Sequence, residues 1–197
     1  MPARRQFFQM IDRPSRIEGF AIISANGMIA DAAGEFPDAI RCDADFAFFH
    51  DSLSRMDTCI HGRGSHEGGP DAATRRRIVV TRRVTALAPD TEFPQALCWN
   101  PAGASFEAAW TELGGGRGTL AVIGGTDIFG MFLKIGYDAF HLTRVPGTDV
   151  PDGRPVFPGI PCVSPEDLLA AAGLVPAESR VLEPARNVTV TTWVPRP

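Results

Sequence analysis

Apolar residues along the chain gather into short runs that end in glycine, arginine or proline. The run Gly19-Phe20-Ala21-Ile22-Ile23-Ser24 stops at Asn26-Gly27 and predicts a buried strand followed by a turn. Met28-Ile29-Ala30 continues in extended form, and Asp31 to Ile40, with Gly34 and Pro37, predicts a loop. Between Asp43 and Arg55 the period changes: Phe46, Phe49 and Leu53 recur at helical spacing, with Asp43 placed to cap the helix or complement its dipole. Short strands are expected at Thr58–His61, Arg77–Thr81 and Leu97–Trp99. Ser105 to Leu113 reads as a capped helix with apolar positions 106, 109, 110 and 113, closed by the glycines that follow Leu113. Thr119–Ile123 is the clearest buried strand, and Gly124-Gly125-Thr126 joins it to a helix from about Asp127 to Ile135. A strand over Asp138–Val145 precedes a proline- and glycine-rich excursion from Pro146 to Pro161. Residues 165–172 suggest one or two helical turns, and strands near Arg180–Leu182 and Val188–Val194 close the chain.

Strands that alternate with helices predict an α/β fold with a mostly parallel central sheet and helices on both faces. Two final strands with no helix between them predict an antiparallel edge. At 197 residues the chain suits one such domain, placed at 18–197 behind a basic N-terminal arm, 1–17, that carries Phe7, Phe8 and Met10. The composition is that of a soluble globular protein, 44% hydrophobic and 21% charged. A formal charge of -4 gives no reason to expect nucleic acid or an anionic membrane as a partner. Lys134 is the only lysine, so no Walker-type phosphate loop can form. Cys42, Cys59, Cys98 and Cys162 are unpaired in spacing, and His50, His61, His66 and His141 have no metal-ligand spacing, so no metal is expected. With no apolar run of membrane length and no signal-type start, the cytoplasm is the expected compartment.

Three strand ends carry candidate chemistry. Glycines between a strand and a helix allow backbone N–H groups close to a phosphate, although Gly124 and Gly125 would equally serve a tight turn. Gly62-Arg63-Gly64-Ser65 is donor-rich, and Thr81-Arg82-Arg83 ends the next strand. Arginine suits phosphate oxygens, but each of these could also be a solvated surface charge. Together the three ends match what a dinucleotide with a 2′-phosphate requires along the carboxyl edge of a sheet. No G-x-G-x-x-G follows the first strand, which argues against a Rossmann dehydrogenase, and no G-x-S-x-G nucleophile elbow occurs. Asp45 should share a helix face with Phe49 and Ser52 and so border an apolar wall. There it would either work on a heterocycle with a raised pKa or complement the helix N-terminus.

In order, Ala21–Ala30, Ala44–Phe49, Ile60–Ser65, Ile78–Arg82, Ala121–Phe129, His141–Thr143 and Val156–Pro158 resemble the dihydrofolate reductase-like superfamily. The nearest pattern is that of the reductase domain of the bifunctional riboflavin-biosynthesis deaminase–reductases. That resemblance implies a three-layer dihydrofolate reductase-like fold and NADPH as cofactor. It puts Gly62, Arg63, Gly64, Ser65, Thr81 and Arg82 at the adenosine phosphate and Gly124, Gly125 and Thr126 at the pyrophosphate, with Ala21, Ile22 and Ile29 at the nicotinamide. Asp45 and Thr143 become the catalytic pair, and Phe46, Phe49 and Arg75 the substrate contacts. The implied activity is reduction of a ribosylaminopyrimidine or related small heterocycle, with dihydrofolate as the alternative substrate and a non-catalytic nucleotide-binding module as the alternative class. A homodimer is also implied as an option. Three departures stand out: Asp38 follows Pro37 where dihydrofolate reductases keep tryptophan, Asn26 replaces the aspartate of S-x-D-G-x-I-A, and Phe129 stands where tyrosine is common. No zinc deaminase motif is present, so only the reductase half is implied.

Overall fold

Alternation of inward and outward side chains begins earlier than the apolar run suggests, and the first strand, β1, spans Arg16–Ile23. Ile17 is fully buried on one face while Arg16 and Glu18 pair on the other. The computed structural model describes residues 13–65 and 72–197. Most of the expected N-terminal arm, with Phe7, Phe8 and Met10, lies outside the described residues, as does His66.

After β1 come β2 (Met28–Ala30), α1 (Asp43–Leu53), β3 (Thr58–Gly62), β4 (Arg76–Val80), β5 (Leu87–Pro89) and β6 (Ala96–Trp99). Next are α2 (Phe106–Glu112), β7 (Thr119–Val122), α3 (Thr126–Ile135), β8 (Ala139–Arg144), β9 (Arg154–Pro155), α4 (Pro165–Ala171), β10 (Leu174–Glu183) and β11 (Val188–Pro195). Nine strands form one sheet in the order β10-β11-β8-β1-β7-β3-β4-β6-β5. The run from β8 to β6 is parallel, and both edges are antiparallel, through β11 and β10 on one side and β5 on the other. The expected mostly parallel sheet with an antiparallel C-terminal edge is therefore present. Strand β5 and the two-stranded ribbon of β2 with β9 are additions to it.

Two cores sandwich the sheet. On one face α1 packs Leu53, Phe48 and Phe49 against Phe20, Cys59 and Ala121. On the other, α2, α3 and α4 bring Phe106, Trp110, Phe129, Phe132 and Leu169 against Ile17, Ile60, Leu120 and Phe140. Full burial of each such side chain contributes roughly 1.5–3 kcal/mol. Ser105 caps α2 as expected, its hydroxyl accepting from the Ala108 N–H at 3.2 Å. At α1 the cap is Cys42 rather than Asp43. Asp43 and Asp45 lie in the first turn, where they complement the dipole. No helix among the described residues is long and apolar enough to cross a membrane.

Gly19 is required by close approach. A Cβ there would lie 2.3 Å from Cδ2 of Phe140, which is fully buried. Gly19→Ala is therefore expected to cost about 3 kcal/mol through overpacking, measured as a lower urea midpoint with an unchanged slope.

Candidate active site

The three strand ends singled out in the sequence are neighbours, because β7, β3 and β4 are consecutive in the sheet and parallel. The ladder between β3 and β7 runs past the last regular pair: Ile123 N–H donates to Ile60 C=O at 3.0 Å, and Gly62 N–H donates to Gly124 C=O at 2.8 Å. On the other side Gly62 is level with Val80, so Thr81 follows one step beyond it. Ser65 N–H closes a tight turn onto Gly62 C=O at 2.9 Å. That turn brings Ser65 Oγ to 3.8 Å from where a Cβ would stand on either Gly124 or Gly125.

The notch so formed is bare backbone. A Cβ on Gly64 would meet nothing within 4 Å, and on Gly62 nothing nearer than 3.8 Å. Gly124 has φ +117°, a conformation that L side chains rarely adopt, and its peptide bond to Gly125 is cis. Helix α3 starts at Thr126, directing the positive end of its dipole to the same place. Asp127 adds a negative charge in that first turn, so the positive charge needed to hold an anion has to come from arginine. Arg63 and Arg82 are exposed beside the notch, at the ends of β3 and β4. These residues fit a dinucleotide phosphate: glycine backbone without side chains to hold a phosphate off, a hydroxyl at Ser65 and two arginines. Two of the expected hydroxyls are committed elsewhere. Thr81 is buried and accepts from Arg83 N–H at 3.2 Å, and Thr126 donates to the Pro155 carbonyl. Both side chains therefore shape the backbone around the notch, and the Thr81 N–H is also taken, donating to Trp99 C=O at 2.8 Å.

Two strands further along the same edge lies the carboxylate. The β1–β8 register sets Ile22 beside Thr143, and the almost fully buried Thr143 hydroxyl hydrogen-bonds to Asp45 from α1. Burial raises the Asp45 pKa from 3.8 to about 6, against the opposing pull of the Thr143 hydrogen bond. Asp45, Phe49 and Ser52 do share the inward face of α1: Phe49 meets Phe20 edge-on at 6.0 Å, and Ser52 is buried. Phe46 is 58% exposed, with its ring 4.2 Å from that of His50. Ala21, Ile22 and Ile29 are each partly exposed near the C-terminal end of β1 and in β2, and Ile22 packs against the same buried cluster as Ala44, the residue before Asp45. Arg75 stands apart from them. Its Nη1 donates to the Leu53 carbonyl at 2.7 Å, so it ties the C-terminal end of α1 to the start of β4.

Asn26, marked in the sequence as a turn residue and a departure, and Arg144, which the sequence did not mark, hold the first turn in place. Asn26 donates through Nδ2 to Val150 C=O and accepts through Oδ1 from Val150 N–H, both at 3.1 Å. Arg144, next to Thr143, donates to Ala25 C=O at 2.9 Å and pairs with Glu166 at 2.6 Å. Its place at a strand end, directly after Thr143, is the signal that could have found it. The amide of Asn26 explains the departure from aspartate, since a carboxylate cannot donate to the Val150 carbonyl. Asn26→Asp is expected to lower stability by about 1–2 kcal/mol, read as a drop in Tm at neutral pH that shrinks when the new carboxyl is protonated.

No protein-family model matches the chain, and no curated protein is similar to it in sequence. Solved structures are similar in fold. A diaminohydroxyphosphoribosylaminopyrimidine deaminase/5-amino-6-(5-phosphoribosylamino)uracil reductase from Thermotoga maritima superposes with a TM-score of 0.65 at 14% identity, over 93% of this chain and 57% of that one. The chain thus spans little more than half the length of that bifunctional protein. A riboflavin-biosynthesis protein from Shewanella sp. PV-4, described as putative, gives 0.62 at 18% identity, over 92% of this chain and 99% of that one. Dihydrofolate reductase from Enterococcus faecalis, complexed with NADP(H), gives 0.62 at 18% identity, over 91% and 96%. The chain has the dihydrofolate reductase-like fold shared by these proteins.

Proposed function

We propose that the chain is an NADPH-dependent reductase of the riboflavin-biosynthesis type, acting on a ribosylaminopyrimidine or a close heterocyclic analogue in the cytoplasm. The observation that carries this reading is the continuous C-terminal edge formed by β8, β1, β7, β3 and β4. A half-buried carboxyl against the buried Thr143 hydroxyl occupies one end of it and a glycine–arginine notch the other. Fold neighbours that include a deaminase/5-amino-6-(5-phosphoribosylamino)uracil reductase, a riboflavin-biosynthesis protein described as putative and a dihydrofolate reductase support the same assignment. So does the Ser24–Ala30 segment.

In this reading Arg63 and Arg82 hold the 2′-phosphate, while Gly62, Gly64, Ser65, Gly124 and Gly125 admit the phosphates close to the backbone. NADPH, when bound, supplies a hydride. Reduction of a heterocycle also needs a proton and a fixed orientation, and Asp45 is placed for both. Below about pH 6 its carboxyl is protonated and donates to a ring nitrogen or oxygen; above that it accepts from ring N–H groups. Thr143 directs one carboxyl oxygen by donating to it and leaves the other for the substrate. Phe49 and Ile22 form the apolar wall that keeps water from the carboxyl, which is the cause of its raised pKa. The same pair would serve dihydrofolate. NADPH oxidation measured at 340 nm with a ribosylaminopyrimidine, dihydrofolate and related pterins separates the readings. Turnover with the pyrimidine is expected. NADPH binding without turnover on any of them would favour a non-catalytic nucleotide-binding module.

A further inference from the structure

Beyond the candidate site, an open cavity of about 190 Å³ lies on the α1 face of the sheet, lined by Phe48, His141, Glu178, Arg180, Val190 and Thr192. The strand registers set a carboxylate, an imidazole and a hydroxyl in line on that face. β8 lies between β1 and β11, and His141 is level with Phe20 on one side and with Thr192 on the other. Glu18, two residues before Phe20, shares the face of Phe20. The imidazole is held flat against the Phe20 ring, centroids 4.8 Å apart and planes 16° apart, with Phe48 edge-on at 5.6 Å.

The hydrogen bonds along this line have a direction. Burial pushes the Glu18 pKa up, but hydrogen bonds from His141 and Arg16 outweigh it and hold the carboxyl below the usual range. An ionised carboxylate can only accept, so His141 Nε2 carries the hydrogen that it donates to Glu18 at 2.8 Å. In the neutral ring that leaves Nδ1 as an acceptor, and the Thr192 hydroxyl donates to it at 3.1 Å. A hydroxyl bonded to a base, and a base oriented by a carboxylate, is the arrangement that activates an oxygen nucleophile. Three adjacent strands supply it here without a nucleophile elbow. Arg180 is the diagonal neighbour of Thr192 across the β10–β11 pair, a separation that long side chains bridge, and it lies over the Phe48 ring at 5.3 Å. Its guanidinium provides positive charge for a tetrahedral oxyanion. Phe48 and Val190 form apolar walls for a short acyl chain, and Glu178, directly opposite Thr192, disfavours an anionic one.

We propose that Thr192, His141 and Glu18 form a second, hydrolytic site that cleaves esters of small uncharged acyl groups through an acyl-Thr192 intermediate. Thr192 Oγ attacks the ester carbonyl carbon as its proton passes to His141 Nδ1. The bond from that carbon to the alcohol oxygen breaks, and the alcohol leaves with the proton. Water then cleaves the acyl-Thr192 ester by the same transfer, releasing the acid and restoring the hydroxyl. Hydrolysis of p-nitrophenyl acetate by the wild-type chain, without nucleotide, tests this independently of the reductase reading. Saturable turnover is expected, and acid-quenched protein should carry one acetyl group, mapped by peptide mass to Thr192. Thr192→Val, confirmed as folded by circular dichroism, should lose about 10²-fold or more in kcat, while Thr192→Ser should keep both turnover and label. Wild-type hydrolysis no faster than that by an equal concentration of free imidazole would overturn the proposal. So would an acetyl group found only at other residues, or a wild-type rate in Thr192→Val.

Discussion

Asp45→Asn is expected to lower kcat/KM for reduction by about 10²–10⁴-fold, the usual loss when a positioned proton donor is removed. At the same time it should make the protein more stable at pH 8. Asp45 is held at about 6 in the fold against 3.8 when free, because its carboxylate is stripped of water. A carboxyl raised in this way favours the folded state fully below about pH 4, and that contribution is lost as pH climbs through 6. The rise corresponds to roughly 3 kcal/mol, and to on the order of 2 kcal/mol once the partial exposure of the side chain is allowed for. Asparagine carries no charge and can still accept from Thr143. The variant should thus exceed the wild type in unfolding free energy at pH 8, and the gap should close by pH 4. In the wild type the rate of the reductive step should fall as pH rises past about 6, an inflection missing from the residual activity of the variant. Wild-type turnover with Asn at position 45 would remove this residue from the chemistry. Equal stability at both pH values would show that its carboxyl is not desolvated.

The second large effect concerns the cofactor. Arg63→Ala is expected to weaken NADPH binding by about 10–100-fold, the range for one lost charge-assisted contact to phosphate. NADH binding should change less than twofold, since it has no 2′-phosphate. Arg82→Ala should act in the same direction, and the two losses together should erase the preference for NADPH. Isothermal titration with both nucleotides reads this directly. Equal losses for NADPH and NADH from Arg63→Ala would mean that the side chain shapes the turn instead of reading the phosphate.

How much of this was legible beforehand depended on whether a signal was local. β3, β4 and β7 each show an apolar run that stops abruptly at glycine, threonine or arginine, so their ends could be marked one by one. Their adjacency could not be read locally; it is a property of the strand order, in which β7 inserts between β1 and β3. The helical face of Asp45 followed from spacing, while its bond to Thr143, 98 positions away, follows from β8 docking beside β1. Sheet edges were hardest to see. β10 extends from Leu174, well before the strand expected near Arg180, because its exposed Glu178 and Ser179 resemble a loop in composition. β5 is three residues long and contains a proline. β1 begins at Arg16 because Ile17 and Gly19 already alternate with polar residues, a pattern hidden by the denser apolar run after it. The committed hydroxyls of Thr81 and Thr126 were invisible for a similar reason: their partners, the Arg83 N–H in a loop and the Pro155 carbonyl in β9, are backbone atoms.

The account rests on one ligand occupying the edge that runs from Thr143 to Arg82. A fluorescence titration of the purified wild-type chain with NADPH and with NADH, at one fixed ionic strength, tests it most directly. Saturable one-to-one NADPH binding, at least tenfold tighter than that of NADH, is the predicted result. Absence of NADPH binding, or equal affinity for the two nucleotides, would contradict it.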